Sequence, residues 1–182
     1  MKSKIVTFMI VGLIHNFTQA QELDVVEAKY RGKPIIQMML NGQKTWVLLD
    51  TGSDFTVLDT KVKDKYEFHI LSSNDASLKV PGFGSTGNQL APASHVKLEF
   101  GEVRLRGPVF AFDLSAVAKS IQRRTGKRIA GIIGTRMMST YGFVIDMRSG
   151  TASIEVKRKK KDRKREYDQE SLVVTTTFNR SN

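Results

Sequence analysis

The chain of 182 residues is long enough for one domain with short extensions, and a hydrophobic fraction of 40% supplies an ordinary core. It contains no cysteine, which excludes a disulfide framework, a thiolate nucleophile and a lipid-modified cysteine. The formal charge of +11 is unevenly spread: Lys2 and Lys4 lie near the start, Lys157–Arg165 contributes +7, and about +2 is left for the rest, so the basic balance belongs to an appendage and does not indicate a nucleic-acid-binding fold.

Met1–Ala20 reads as a secretory leader. Lys2 and Lys4 form its basic start, Ile5–Ile14 its apolar run, and Thr18-Gln19-Ala20 a small-residue cleavage site after Ala20. The run is shorter than the roughly 20 apolar residues a membrane-spanning helix needs. An uncleaved anchor or a buried N-terminal strand is the alternative. An exported chain without disulfides fits a periplasmic, or otherwise extracellular, location.

Leu23–Tyr30 and Pro34–Leu40 read as strands, with turns at Arg31-Gly32-Lys33 and Asn41-Gly42; Asn-Gly signals a hairpin because both residues tolerate positive φ. Lys44–Leu49 is a third strand, and it runs directly into Asp50-Thr51-Gly52-Ser53-Asp54-Phe55-Thr56. A carboxylate at the end of a buried strand is held rigidly in a partly desolvated place, as acid/base chemistry requires. Gly52 lets the backbone turn tightly there. The same stretch, taken alone, is equally a strand followed by a turn whose Asp caps a backbone amide.

Val57-Leu58 and Phe68–Leu71 predict short strands. Pro81–Gly87 is rich in glycine and predicts a mobile loop. His95–Phe100 and Val103–Phe112 alternate apolar with polar residues and predict a hairpin joined by Gly101-Glu102. Leu114, Val117, Ala118 and Ile121 recur at helical spacing over Leu114–Arg124, with Asp113 placed to cap the start. Ile129–Gly134 predicts a strand and Thr135–Thr140 a helical turn. Gly142–Asp146 and Ala152–Val156 predict two strands around Arg148-Ser149-Gly150. Lys157–Arg165 is a self-repelling, solvated run, and Leu172–Phe178 is only weakly strand-like.

Two blocks of this sequence resemble the retropepsin-like single-domain aspartic proteases. The first is Leu48-Leu49-Asp50-Thr51-Gly52-Ser53-Asp54-Phe55-Thr56. The second is Ala130-Gly131-Ile132-Ile133-Gly134 followed by Tyr141-Gly142-Phe143-Val144-Ile145-Asp146, and it begins about 80 residues after Asp50. The second block is of the kind found in bacterial secreted members. The resemblance spans roughly Glu22–Val156. It implies an all-β fold: a closed acid-protease barrel, one lobe with one short inserted helix, expected as a homodimer. The chain then divides into a signal peptide (1–20), a protease domain (22–156) and a basic tail (157–182). Ala130 and Arg136 stand where bacterial relatives often carry acidic residues, and both read as peripheral to the chemistry.

The resemblance also implies roles. Asp50 is the catalytic carboxylate of a peptide- or protein-cleaving enzyme. Thr51, Gly52, Ser53, Asp54 and Thr56 support the active-site loop, with Thr51 locking two such loops across a dyad. Ile132, Ile133 and Gly134 form the strand beneath it. Gly82, Phe83, Gly84 and Gly87 are the candidate flap over bound peptide, an ordinary surface loop being the alternative. Aspartic proteolysis needs two carboxylates on one water. Only one Asp-Thr-Gly is present; Asp54 is too close in sequence to be the second, and Asp146 lacks the Thr-Gly turn. The arithmetic implies a symmetric homodimer contributing one Asp50 from each subunit.

A non-catalytic peptide-binding module on the same fold is the rival, held at an anionic surface by the tail. A polybasic segment gains about 1 kcal/mol per basic residue near an anionic bilayer; a solvated, non-binding tail is the simpler reading. No cofactor and no metal is expected, because His69, His95 and the acids lack ligand spacing and His15 belongs to the leader. No phosphate-cradling glycine loop or Ser-His-Asp order is present. Asn179-Arg180-Ser181 is a glycosylation sequon by pattern only.

Overall fold

A computed structural model of the chain describes residues 23–71, 78–82 and 85–157. The leader, Phe83-Gly84, and the basic tail after Lys157, with its Leu172–Phe178 segment, lie outside the described residues.

The alternating sequence after Tyr30 forms β2 (Ile35–Leu40) and β3 (Gln43–Leu49), paired antiparallel from Ile35↔Leu48 to Leu40↔Gln43. Asn41 and Gly42 make the turn with φ of 49° and 81°, the conformation that favours this dipeptide. β3 is covered on both faces. Val47 and Leu49 enter the larger core, while Trp46 and Leu48 pack on a smaller one. β4 (Thr56–Asp59) and β11 (Ile129–Ile133) are buried along their whole length. That is the pattern of central strands: β11 lies between β3 and β4, parallel to the first and antiparallel to the second.

Around this centre, β10 (Val109–Phe112) runs parallel to β4 and antiparallel to β7 (Ser85–Ser94). β7 also pairs with β5 (His69–Ile70) and β6 (Leu78–Gly82). On the other side β2 pairs with β8 (Leu98–Phe100), and β8 with β9 (Val103–Leu105). A separate sheet joins β1 (Leu23–Lys29), β13 (Thr151–Lys157) and β12 (Val144–Asp146). Tyr30, Ala152 and Ile154 carry this small sheet onto the larger core.

Three expectations are corrected. The first concerns the barrel: among the described residues the strands pair as two open sheets, and no ladder closes either into the expected ring. β1, β12 and β13 satisfy one another and meet the large sheet through side chains. Secondly, Val103–Phe112 is not one strand. Gly107, at φ 154°, and Pro108, which has no N–H to give a ladder, break it after Leu105, and β10 crosses to β4. Thirdly, besides the expected α2 (Ser115–Thr125) and α3 (Thr135–Thr140), a 3-10 turn at Thr60–Val62 runs into a short α1 (Lys63–Tyr66) that was not expected. α2 is the expected insertion, shifted by one residue. Leu114, Ala118 and Ile121 are buried along one side of it, and Asp113 Oδ1 accepts from the Ser115 N–H at 2.9 Å.

Candidate active site

The site begins with how β3 ends. The Asp50 N–H donates to the Ile133 carbonyl at 3.1 Å, so the backbone that carries the carboxylate is tied to β11. Asp50 Oδ1 accepts from the Gly52 N–H at 2.9 Å, and the Ser53 N–H returns to the Asp50 carbonyl at 3.2 Å. Two local bonds thus fold Asp-Thr-Gly-Ser into a tight turn. The side chain is half-buried, and its second oxygen carries no hydrogen bond among the described residues. Gly52 does not adopt positive φ; a Cβ there would lie 3.3 Å from Asp50 Oδ1, so this glycine keeps space beside the carboxylate. Thr51 and Gly52 are exposed.

Beyond the turn the loop rests on β11 and α3. Ser53 carbonyl accepts from the Thr135 N–H at 2.7 Å and its hydroxyl at 3.2 Å, and Asp54 carbonyl accepts from the Arg136 N–H at 3.2 Å. Ser53 Oγ donates to the Phe55 carbonyl at 3.0 Å. Buried Thr56 accepts from the Gly134 N–H at 3.3 Å, with Met137 Sδ 3.6 Å from its hydroxyl. At Gly134 the contact admits no side chain: a Cβ would stand 2.5 Å from the Phe55 carbonyl oxygen. Ile132 and Ile133 pair with Leu48 and Leu49 directly below. The structure therefore gathers Asp50–Asp54, Thr56 and Ile132–Gly134 into one unit. The side chain of Asp54 stays exposed, so its support is through the backbone.

The flap candidates divide. Gly82 and Gly87 belong to the β6/β7 hairpin, where Gly82 pairs with Ser85 and Leu78 with Leu90; Phe83 and Gly84 fall outside the described residues. Leu78 and Val80 pack with Phe55 and Phe110 on the smaller core, so the base of this hairpin adjoins the loop.

Between them opens a cleft of about 350 Å³. Asp54–Thr56 and Leu78 line it, with Arg106–Pro108 from the β9–β10 link, Phe110 from β10 and Arg136, Met137 and Thr140 from α3. Sequence reasoning missed most of this lining. Arg136 lines this cleft, with its guanidinium carbon 4.5 Å from the Phe55 ring centroid. Ala130, by contrast, is buried in β11. Gly107-Pro108 was the available signal for the link, since a Gly-Pro pair inside an alternating run marks a break.

Two other aspartates are taken up by the fold. Asp146 Oδ1 accepts from Arg148 N–H at 2.8 Å and Ser149 N–H at 3.2 Å, and these bonds, Ser149's first, hold its pKa below the usual carboxylate value. Asp59, unremarked in the sequence, is fully buried at the end of β4. His69 and His95 lie ring to ring at 4.5 Å, and no group of three potential metal ligands occurs among the described residues.

A family model described as aspartyl protease matches residues 36–137, from β2 into α3, and so contains both the Asp50 loop and the strand beneath it. No curated protein matches the chain.

Proposed function

The chain belongs to the aspartyl protease family, and on that premise we propose that it is an aspartic endopeptidase whose water is activated between two Asp50 carboxylates of a homodimer. The observation that carries this is Asp50 itself: a rigidly tied backbone, one oxygen held by the Gly52 N–H and, among the described residues, the other oxygen without a hydrogen bond. In this reading the second carboxylate comes from another copy, which is supported by Asp146 being bound in its own turn and by the outward-facing Asp54 lying only four residues along the chain. The exposed Thr51 and Gly52 are the surface that such a copy would meet.

Aspartic proteases are the standard instance of a carboxylate pair sharing one proton: like charges roughly 3 Å apart do not both ionise readily. The ionised Asp50 takes a proton from the water as its oxygen attacks the peptide carbonyl carbon. The protonated Asp50 of the pair gives its proton to the carbonyl oxygen. The tetrahedral species then collapses with the proton passed to the leaving amine, and no covalent enzyme intermediate forms. The substrate lies extended between the β6/β7 hairpin and the loop, adding its backbone as a strand. We also place the protein outside the cytoplasm, on its leader-like first 20 residues.

The test is peptide-library cleavage by the purified protein beside Asp50→Asn, with analytical ultracentrifugation of both. Cleavage by the parent alone, from a dimer, is the expected result. An inert monomer would leave a non-catalytic peptide-binding module as the better account.

A further inference from the structure

Two guanidinium groups in the cleft lack an acidic partner among the described residues. Arg136 and Arg106 both line it, and neither lies within ion-pair distance of a carboxylate among the described residues, whereas Lys61, Lys63, Lys97 and Arg128 each do. Both are nevertheless held. Arg136 lies over the Phe55 ring, and its backbone N–H is fixed to Asp54. Arg106 is fixed through its main chain: its N–H donates to the Tyr141 hydroxyl at 2.5 Å. A cation stacked on an aromatic face keeps its outer N–H groups free for a carboxylate.

The remaining lining is apolar apart from Asp54 and the hydroxyls of Thr56 and Thr140, so the charged groups sum to one positive. Phe55, Phe110 and Met137 offer a surface for methylene groups. The cleft also starts at Asp54, four residues beyond Asp50 in the same loop, so it lies within a few residues' reach of a peptide held over that loop.

From charge and shape together we infer that this cleft is a specificity subsite for an acidic substrate side chain, glutamate above aspartate, with Arg106 and Arg136 receiving the carboxylate and Phe55, Phe110 and Met137 covering its stem. The inference rests on the protease reading, because it places a peptide over Asp50.

The test uses C-terminally amidated peptides, each made with Glu, Gln or Lys at every position flanking the cleaved bond, so that a chain-end carboxylate is not mistaken for a side chain. Cleavage is followed with the parent, and binding of the same peptides with Asp50→Asn by fluorescence polarisation. The expected result is a preference of about tenfold for Glu over Gln at one position, as a charge-assisted hydrogen bond at a partly open site supplies, weakening with salt. Arg106→Gln with Arg136→Gln should bring that ratio toward one, and Arg106→Glu with Arg136→Glu should turn it toward Lys. Arg136→Lys should retain part of it. Glu-selective binding without cleavage in the parent would keep the subsite and overturn the protease reading. Cleavage with equal rates for Glu and Gln at every position would overturn the subsite alone, and so would a preference that survives both double substitutions. A parent that neither cleaves nor binds any of the peptides would overturn both.

Discussion

Asp50 and Asp59 both terminate a buried apolar strand, nine residues apart, yet the fold treats them oppositely. β3 and β4 flank β11 and run in opposite directions, so the two carboxylates stand at opposite ends of one three-stranded unit. At the Asp59 end the turn Thr60–Val62 and the start of α2 close over the side chain. Its Oδ1 accepts from the N–H groups of Lys61 at 3.1 Å and Leu114 at 3.3 Å, and Arg128 Nη2 lies 3.6 Å from Oδ2. At the Asp50 end only the small Thr-Gly-Ser turn follows, and among the described residues only the Gly52 N–H is bound to the carboxylate. The difference teaches what separates a covered from an accessible carboxylate here: the neighbour that closes over it. Asp59 joins a helix to a strand, whereas Asp50 stays open to whatever is laid over the loop.

The largest effect expected is the loss of chemistry without loss of fold at the open end. Asp50→Asn preserves the acceptor for the Gly52 N–H but cannot exchange a proton, so cleavage should fall by about 10²–10⁴-fold, as removal of a general acid/base does. Unfolding free energy should change by less than about 0.5 kcal/mol, because the substitution keeps the shape of this half-buried side chain and its bond to Gly52. Peptide cleavage beside thermal unfolding reads both. A large stability change would remove the distinction between the two ends.

Gly134→Ala attacks the same end through packing. The new methyl would stand 2.5 Å from the Phe55 carbonyl oxygen and 2.7 Å from the Asp54 carbonyl carbon, neither of them a flexible group. Overpacking of this kind typically costs about 1–3 kcal/mol. Because the displaced atoms are the loop itself, the turnover rate should fall along with the melting temperature, unlike the Asp50 variant. Asp59→Ala then tests the closed end. It leaves the Lys61 and Leu114 N–H groups without their acceptor but also removes an oxygen that lacks a hydrogen bond, so about 1–2 kcal/mol of stability should be lost. Turnover well below the melting temperature should stay near the parent value, since this end is remote from the loop.

How much of this was legible depended on whether the deciding contacts were local. The Asn41-Gly42 hairpin follows from two residues' backbone preferences, and the Asp50 turn from bonds spanning two or three positions. The buried run Ile129–Ile133 is visible as five consecutive small or apolar residues. The covering of Asp59 depends on α2, some 55 residues further along, so Val-Leu-Asp and Leu-Leu-Asp look alike as strings. The same limit hid the cleft. Its walls come from four separate segments, and the Gly107-Pro108 break sends β10 to a partner that no periodicity names. Closure of the sheets was overestimated for a related reason: period-two alternation shows that a strand has two faces but not which edge it joins.

The smallest effect sharpens the closed end by pH. Asp113 lies at the same corner as Asp59. Its Oδ1 accepts from the Ser115 N–H at 2.9 Å, and Lys61 Nζ stands 3.4 Å from Oδ2. The bonds to Ser115, ahead of the attraction of Lys61, lower its pKa from 3.8 to about 2. A carboxylate depressed in the folded state adds stability above its unfolded pKa and loses it as pH falls through the folded value. The melting-temperature difference between the parent and Asp113→Asn should therefore be constant from neutral pH down to about 5, narrow below about 4 and vanish only below about 2. The amide can still accept from Ser115, so only the charge-dependent part is read, and at this exposed site it should be small and reduced by salt. A difference that persists unchanged to pH 2 would mean that the start of α2 is held by the shape of the cap and not by its charge. The corner over Asp59 would then owe its closure to those cap bonds, to the bonds Asp59 accepts and to packing of Leu114, Ala118 and Ile121, without help from the Asp113 charge.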